Sequence, residues 1–301
     1  MKIPARFWLK AQQDYGEYLA RQRQAEAVKN DVEWMKEFPI DDMIQKGFLP
    51  FVKSEIEKTQ ALLKYFGIAG SGAWEDYYQK QTLCTAFRLS LAGMKNQYSL
   101  SAWLRHGEIQ VVRNKVKTSY SQEKLKNCIS KMITLANSES SNFKEKLVDL
   151  CAEAGIVLVY TPHIRNSRAQ GATRWVNGHP LVQISDFYKH YDIFWFSFFH
   201  EIGHILLHNK KDIFLEGIEY SEKSKKKEDE ANDFSKDLLV SPQIEACLQK
   251  LDYSEYGIRI LSKETGIHVA FLVGRMHYLN ILPYDHGNKL IPSVCFYRFG
   301  N

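Results

Sequence analysis

The chain has 301 residues, 45% hydrophobic and 25% charged, the balance of a folded globular protein and not of a disordered one. Its five cysteines (Cys84, Cys128, Cys151, Cys247, Cys295) are odd in number and form no CxxC pair. They argue against a disulfide framework and against a thiolate metal site, and each is expected to fill core space as a small hydrophobe. Net charge is +5, and the segment 101–131 carries an equal excess: Arg105, Arg113, Lys115, Lys117, Lys124, Lys126 and Lys131 against Glu108 and Glu123. No nucleic-acid reader motif accompanies it, so a solvated helix face is the favoured reading and direct nucleic-acid binding the weaker one.

In chain order, the start MKIPARFWLK has no apolar core or small-residue cleavage site of a signal peptide, and a cytoplasmic location is expected. A polar-apolar segment from Pro4 to Phe38 predicts a long helix stopped by Pro39. Ile40 to Gly47 reads as a short helix with glycine just past its end, and Ser54 to Phe66 as a helix ending near Gly67. Three more helices are expected at about 72–94, 99–117 and 121–137, before the Ser-rich stretch Asn137–Asn142, the best linker candidate. The texture then changes. Phe143 to Ala154 is amphipathic and ends at Gly155, and Ile156–Tyr160 is a β-branched run of strand length. Ala172–Val176 and Leu181–Ile184 flank Asn177-Gly178, a strong hairpin signal. Helices return at about 192–208, 226–239, 242–250, 254–265 and 268–280. The organisation is a helical region over 1–140, fit to bind a partner, followed by a compact α+β domain over 141–301.

The stretch Phe198-Phe199-His200-Glu201-Ile202-Gly203-His204 places H-E-x-x-H inside an apolar helical pattern. Residues four apart on a helix differ by about 40° in azimuth and about 6 Å in rise, so His200 and His204 can bind one metal ion. Glu201, one step round, reaches a water on the ion rather than the ion itself and is the candidate general base. Gly203 suits a close approach by another backbone or by a substrate. His208 lies about 12 Å of helix rise from His200, too far to share the ion, and reads as a helix C-terminal residue. Asp192 reads as the N-cap of this helix.

A third ligand is sought in a later helix, Lys227–Leu239, whose apolar stripe is Ala231, Phe234 and Leu238. Glu228 and Glu230 border that stripe on opposite sides. The small residues Asn232 and Ser235 lie on the Glu228 side, which leans toward Glu228 without settling the choice.

H-E-x-G-H-x-L-L-H followed by E-x-E-A-N-x-F-x-x-x-L-L resembles the ImmA/IrrE family of bacterial and phage zinc metallopeptidases. Gly171-Ala-Thr-Arg-Trp175, Asp192–Phe199 and Ile3-Pro-Ala-Arg-Phe-Trp8 resemble members fused to HigA-like antitoxins. The resemblance implies a zincin-like metallopeptidase domain with a small antiparallel sheet and an HExxH helix, Zn2+ as cofactor, and Glu228 as third ligand. It also exposes two departures. The helix-turn-helix that precedes this segment in those members is expected to be missing here, which puts promoter binding in doubt, and the ending Leu238-Leu-Val-Ser-Pro242 is one residue longer than usual.

Such enzymes need an oxyanion-stabilising group and a strand edge for the substrate backbone. The hairpin at 171–185 is the candidate edge; Arg174, Tyr188, His190 and Tyr191 are the candidate electrophiles and substrate-binding residues. Trp175 and Trp195 are expected to pack the core. The favoured function is cleavage of a regulatory protein, a repressor or antitoxin, in a stress, phage or mobile-element response. The alternative is a non-catalytic, antitoxin-like binding module with a structural zinc.

Overall fold

The computed structural model describes residues 4–80, 97–113, 116–138, 140–208, 214–215, 222–251 and 253–296. Ile3, Cys84, Lys115 and the expected helix 72–94 beyond residue 80 lie outside them. The chain forms two compact units, residues 1–81 and 82–301. The boundary expected at 140/141 falls inside the second unit.

The first unit is helical. Helix α1 (Ala5–Asn30) and α2 (Val32–Lys36) replace the single helix expected up to Phe38. The break falls at Asp31, which is buried and accepts a hydrogen bond from the Ser71 N–H at 3.3 Å. After α3 (Ile40–Gln45), Gly47 adopts φ 74°, the left-handed conformation that ends a helix at least cost in glycine. α4 (Glu55–Phe66) opens with a Ser54/Glu57 capping box and closes at Gly67 with φ 71°. α5 (Ser71–Glu75) continues into a π turn at Asp76–Lys80. Trp34, Phe38, Phe66 and Trp74 then form an aromatic cluster with centroid spacings of 4.9 to 6.2 Å, the edge-on and tilted geometry that ring quadrupoles favour.

The second unit is built on a four-stranded sheet. Its strands are β1 (Val157–Tyr160), β2 (Gly171–Val176), β3 (His179–Ile184) and β4 (Phe214–Leu215), in the order β1-β3-β2-β4. β2 and β3 form the expected hairpin, with Asn177 and Gly178 both at positive φ (51° and 84°) as a two-residue turn of matching twist requires. The sheet is mixed rather than antiparallel throughout, because β1 pairs parallel with β3, Val157 opposite Leu181. β4 pairs antiparallel with β2 at Ala172 and Thr173, so the hairpin is interior there and the edges among the described strands are β1 and β4.

One face of the sheet carries α6 (Gln97–Arg113). Val157, Val159 and Leu181 pack there with Val111, Val116 and Val176. Side chains also reach backbone carbonyls across the layer: Arg174 donates to Leu104 O at 2.7 Å, Gln183 to Trp103 O at 2.7 Å, and Trp103 Nε1 to Thr161 O at 3.3 Å. The other face carries the main core. Leu158, Val182 and Ile184 meet Phe194, Trp195, Phe198 and Ile202 of α9 (Tyr191–Leu207). α7 (Gln122–Ala136) adds Leu125 and Met132 to this same core, and α8 (Phe143–Glu153) adds Leu147 and Cys151. Just past α7, Ser138 is tied back to the helix, its Oγ donating to Leu135 O at 2.7 Å. Gly155 ends α8 at φ 80°, and an added Cβ would meet the Ser119 and Tyr120 backbone at 2.5 Å.

Of the basic segment, Lys117, Lys124, Lys126 and Lys131 are exposed, and Lys131 pairs with Glu153 at 3.2 Å. Cys128 and Cys151 are buried as expected, but Cys247 and Cys295 are exposed. No described helix is long and apolar enough to cross a membrane.

Candidate metal centre and active site

Helix α9 is apolar on nearly every side and is correspondingly enclosed from Phe198 to Ile205. Its N-cap is His190, not Asp192. The His190–Tyr191 backbone is fastened to the C-terminal segment, Tyr191 N–H donating to Pro292 O at 3.0 Å, which starts the helix early and leaves Asp192 within the first turn. Asp192 packs against Gly274 of α13 (Val269–Tyr278), which follows the short helices α11 (Pro242–Leu248) and α12 (Glu255–Thr265), and burial pushes its carboxyl above the usual range.

Helix α10 (Glu222–Leu239) lies along α9 at the level of the histidines. Gly203 is what lets it approach. A Cβ added there would stand 3.3 Å from Ala231 Cα and 3.1 Å from Phe234 Cδ1, the close backbone approach anticipated at that glycine. Ser235 Oγ donates to Phe196 O at 2.8 Å and fixes the pair of helices in register.

This packing brings three side chains to one point. His200 and His204 are no more than 2% exposed, and their Nε2 atoms lie 2.9 Å apart. Glu228 stands opposite, with Oε2 3.2 Å from His200 Nε2 and Oε1 3.4 Å from His204 Nε2. Donor atoms of the three residues all lie within 4.8 Å of one another, and among the described residues they form the one such group. Burial, then the neighbouring His200, hold the His204 imidazole well below its usual pKa, leaving a neutral ring with a lone pair to offer.

Glu201 is fully buried. Its backbone carbonyl accepts from Thr173 Oγ1 of β2 at 3.4 Å, so the sheet holds this turn of the helix. Gly171, the first residue of β2, faces the carboxylate: a Cβ there would lie 2.5 Å from Glu201 Oε1. Two nitrogens and a carboxylate around one point, with a second carboxylate one residue away, can hold a divalent cation and move a proton beside it.

Outside the ligand set the rings are themselves held. His200 Nδ1 lies 2.9 Å from Asn232 Oδ1, and His204 Nδ1 lies 3.0 Å from His208 Nδ1. Glu230, the rival for third ligand, instead meets His208 Nε2 at 3.1 Å. Asn232 shares the Glu228 face of α10 by its spacing of four, a signal legible beforehand. Gly171 is marked in the sequence only as the first residue of the Gly171–Trp175 resemblance, with no sign of its place beside Glu201.

The four candidate electrophiles separate. Arg174 is turned to the opposite face of the sheet, buried under α6 with Glu108 at 3.9 Å, because alternation along β2 sends it away from Thr173. Tyr191 is a core residue: its hydroxyl donates to Ala136 O at 3.0 Å and its ring stacks on Phe271. Neither reaches the metal centre. Tyr188 and His190 are exposed and line a small crevice with Gln170, Asp186 and Ser197, the last one helical turn before Glu201. Trp195 is buried as expected; Trp175 is half-buried against Tyr120, centroids 5.2 Å apart.

Residues 151–276 match the family model described as the IrrE N-terminal-like domain, peptidase family M78. The match runs from the last turn of α8 to α13 and so contains the sheet, α9 and α10. No curated protein matches the chain.

Proposed function

From the premise that residues 151–276 form an ImmA/IrrE-type peptidase domain, we propose that the chain is a zinc-dependent endopeptidase acting on a regulatory protein. The observation that carries this is the convergence of His200, His204 and Glu228 beside the buried carboxylate of Glu201. The donor set fits zinc: two imidazole nitrogens and one carboxylate is the ligand complement of catalytic zinc sites that keep a position open for water. A zinc ion held there supplies Lewis acidity to the attacking water and the scissile carbonyl.

The chain's own residues do the rest. Glu201 takes the proton of the attacking water on its carboxylate and returns it to the amide nitrogen as the peptide bond breaks. A low-dielectric surrounding favours that transfer, since the charge it moves is weakly screened. Gly171 leaves room for the carboxylate to turn between the two positions. Tyr188 and His190, at the accessible crevice, are the substrate-side residues; Arg174 and Tyr191 are not. A repressor or antitoxin is the substrate class to which the resemblance of the two motifs points.

The test is a comparison of new protein N-termini, by terminal labelling and mass spectrometry, in cells expressing the wild-type chain or Glu201→Gln. Wild type yields termini that the variant lacks, a loss of about a hundredfold or more in cleavage. Zinc content stays equal in those two proteins and falls in His204→Ala and Glu228→Ala. Identical termini from wild type and Glu201→Gln, with zinc bound in both, would remove the catalytic reading and leave the binding module with a structural zinc.

A further inference from the structure

Each ligand histidine presents one ring nitrogen to the convergence point and turns the other away. For His200 the outward nitrogen meets Asn232 Oδ1 at 2.9 Å; for His204 it meets another imidazole, His208 Nδ1, at 3.0 Å. His208 in turn reaches Glu230 Oε2 through Nε2 at 3.1 Å. We propose, resting on the metal-centre reading above, that His208 and Glu230 are positioning residues for His204, a carboxylate–imidazole chain that sets its tautomer and ring orientation.

The protons admit one arrangement. A nitrogen that ligates a metal must carry its lone pair, so His204 with Nε2 in the site holds its proton on Nδ1. That proton is donated to His208 Nδ1, which must accept. His208 then carries its own proton on Nε2, where Glu230 is the acceptor. Every donor faces an acceptor, and the negative end of the chain lies farthest from the ligand. Carboxylates behind imidazoles orient metal-binding histidines and raise their basicity; here a second imidazole extends the reach.

The backbone explains how His208 takes this place. On a continued helix it would stand too far along the axis to share the metal. The helix stops at Leu207, and His208 adopts φ −119° and ψ 171°. Its side chain, 3% exposed, folds against His204 with ring centroids 5.1 Å apart. Glu230 is supplied by α10, two residues from the ligand Glu228. The same helix therefore provides the third ligand, the carboxylate behind His204 and, at Asn232, the acceptor behind His200.

A purely mechanical role, pinning the C-terminal end of α9 to α10, is the competing explanation; Ser235 makes a mechanical tie of that kind in the first half of α9, through Phe196 O at 2.8 Å. The experiment therefore measures zinc affinity by chelator competition, the visible spectrum of the cobalt-substituted protein, and the melting temperature of the metal-free chain. The proteins are wild type, His208→Phe, His208→Asn, Glu230→Gln and Ser235→Ala. His208→Phe is expected to weaken zinc about ten- to a hundredfold and to shift the cobalt bands. His208→Asn keeps an acceptor for His204 and recovers part of that loss; Glu230→Gln loses less than His208→Phe. Ser235→Ala lowers the melting temperature and leaves affinity and spectrum in place. Unchanged zinc affinity and cobalt spectrum in His208→Phe, with or without a fall in melting temperature, would overturn the positioning role alone. A wild-type chain that takes up no zinc would overturn the metal centre itself and this proposal with it.

Discussion

On one face of the sheet, β2 and β3 are joined to α6 by side chains that donate to its main-chain carbonyls, Arg174 to Leu104 and Gln183 to Trp103. On the other, β1 and β3 meet the aromatic rings of α9 through Leu158, Val182 and Ile184, and the polar groups of the metal centre are gathered on its far side by α10. Hydrogen bonds are directional and set the position of α6 locally. Apolar packing is not directional, so the precision of the site has to come from elsewhere: a missing Cβ at Gly203, another at Gly171, and the hydrogen bonds of Asn232 and Thr173. Buried polar anchoring and the metal chemistry thus lie on different faces, and substitutions should separate them.

The largest effect on that separation is expected from Arg174→Leu. It removes a buried guanidinium from Leu104 O and Glu108 and should cost about 3 kcal/mol, the usual penalty for breaking a buried charged network. Denaturant unfolding measures it, and zinc content per folded molecule should not change. A variant that kept its stability but lost zinc would erase the distinction between the faces. Gly203→Ala comes next. Overpacking against Ala231 Cα should cost about 1 to 3 kcal/mol, and because α10 must move outward, zinc affinity should fall out of proportion to stability.

Tyr191→Phe sharpens the contrast within α9. Loss of the hydroxyl bonds to Ala136 O and Ser138 O should cost about 1 kcal/mol in thermal or denaturant unfolding. Cleavage rates should be unchanged, whereas a fall in kcat would return Tyr191 to the substrate side. The smallest effect belongs to Asp192→Asn. Burial raises the Asp192 pKa, so the folded state holds the proton more tightly than the unfolded chain does. The wild-type protein therefore loses stability relative to this variant as pH rises from about 3.8 through the folded-state value. Melting curves at pH 7 should show Asp192→Asn the more stable, with the gain vanishing toward pH 4. A gain independent of pH would point to packing against Gly274 instead.

Local chemistry was legible in the residues. Gly47, Gly67 and Asn177-Gly178 each demand a backbone conformation that few other residues supply, and each adopts it. The i, i+4 spacing of His200 and His204 required only that the segment be helical, which its apolar pattern ensured. Choosing between Glu228 and Glu230 needed more. Both lie on one helix two residues apart, and only the approach of α10 to α9 at Gly203 sends one to the histidine pair and the other to His208.

What the tertiary structure alone decided were relations between segments far apart in the chain. The parallel pairing of β1 with β3 and the addition of β4 outside β2 are choices among strand edges that no single strand encodes. Arg174 and Tyr191 sat near the site in sequence and lie away from it in space, because strand alternation and the docking of residues 292–293 determine which way each points. The break at Asp31 depends on Ser71, and the place of His208 depends on Glu230. Helix caps, turns and metal-ligand spacing are written within a few residues, where steric and hydrogen-bonding rules act. Which face is buried, which edge is covered and which imidazole meets which carboxylate follow from packing, where the partner is a residue tens of positions away.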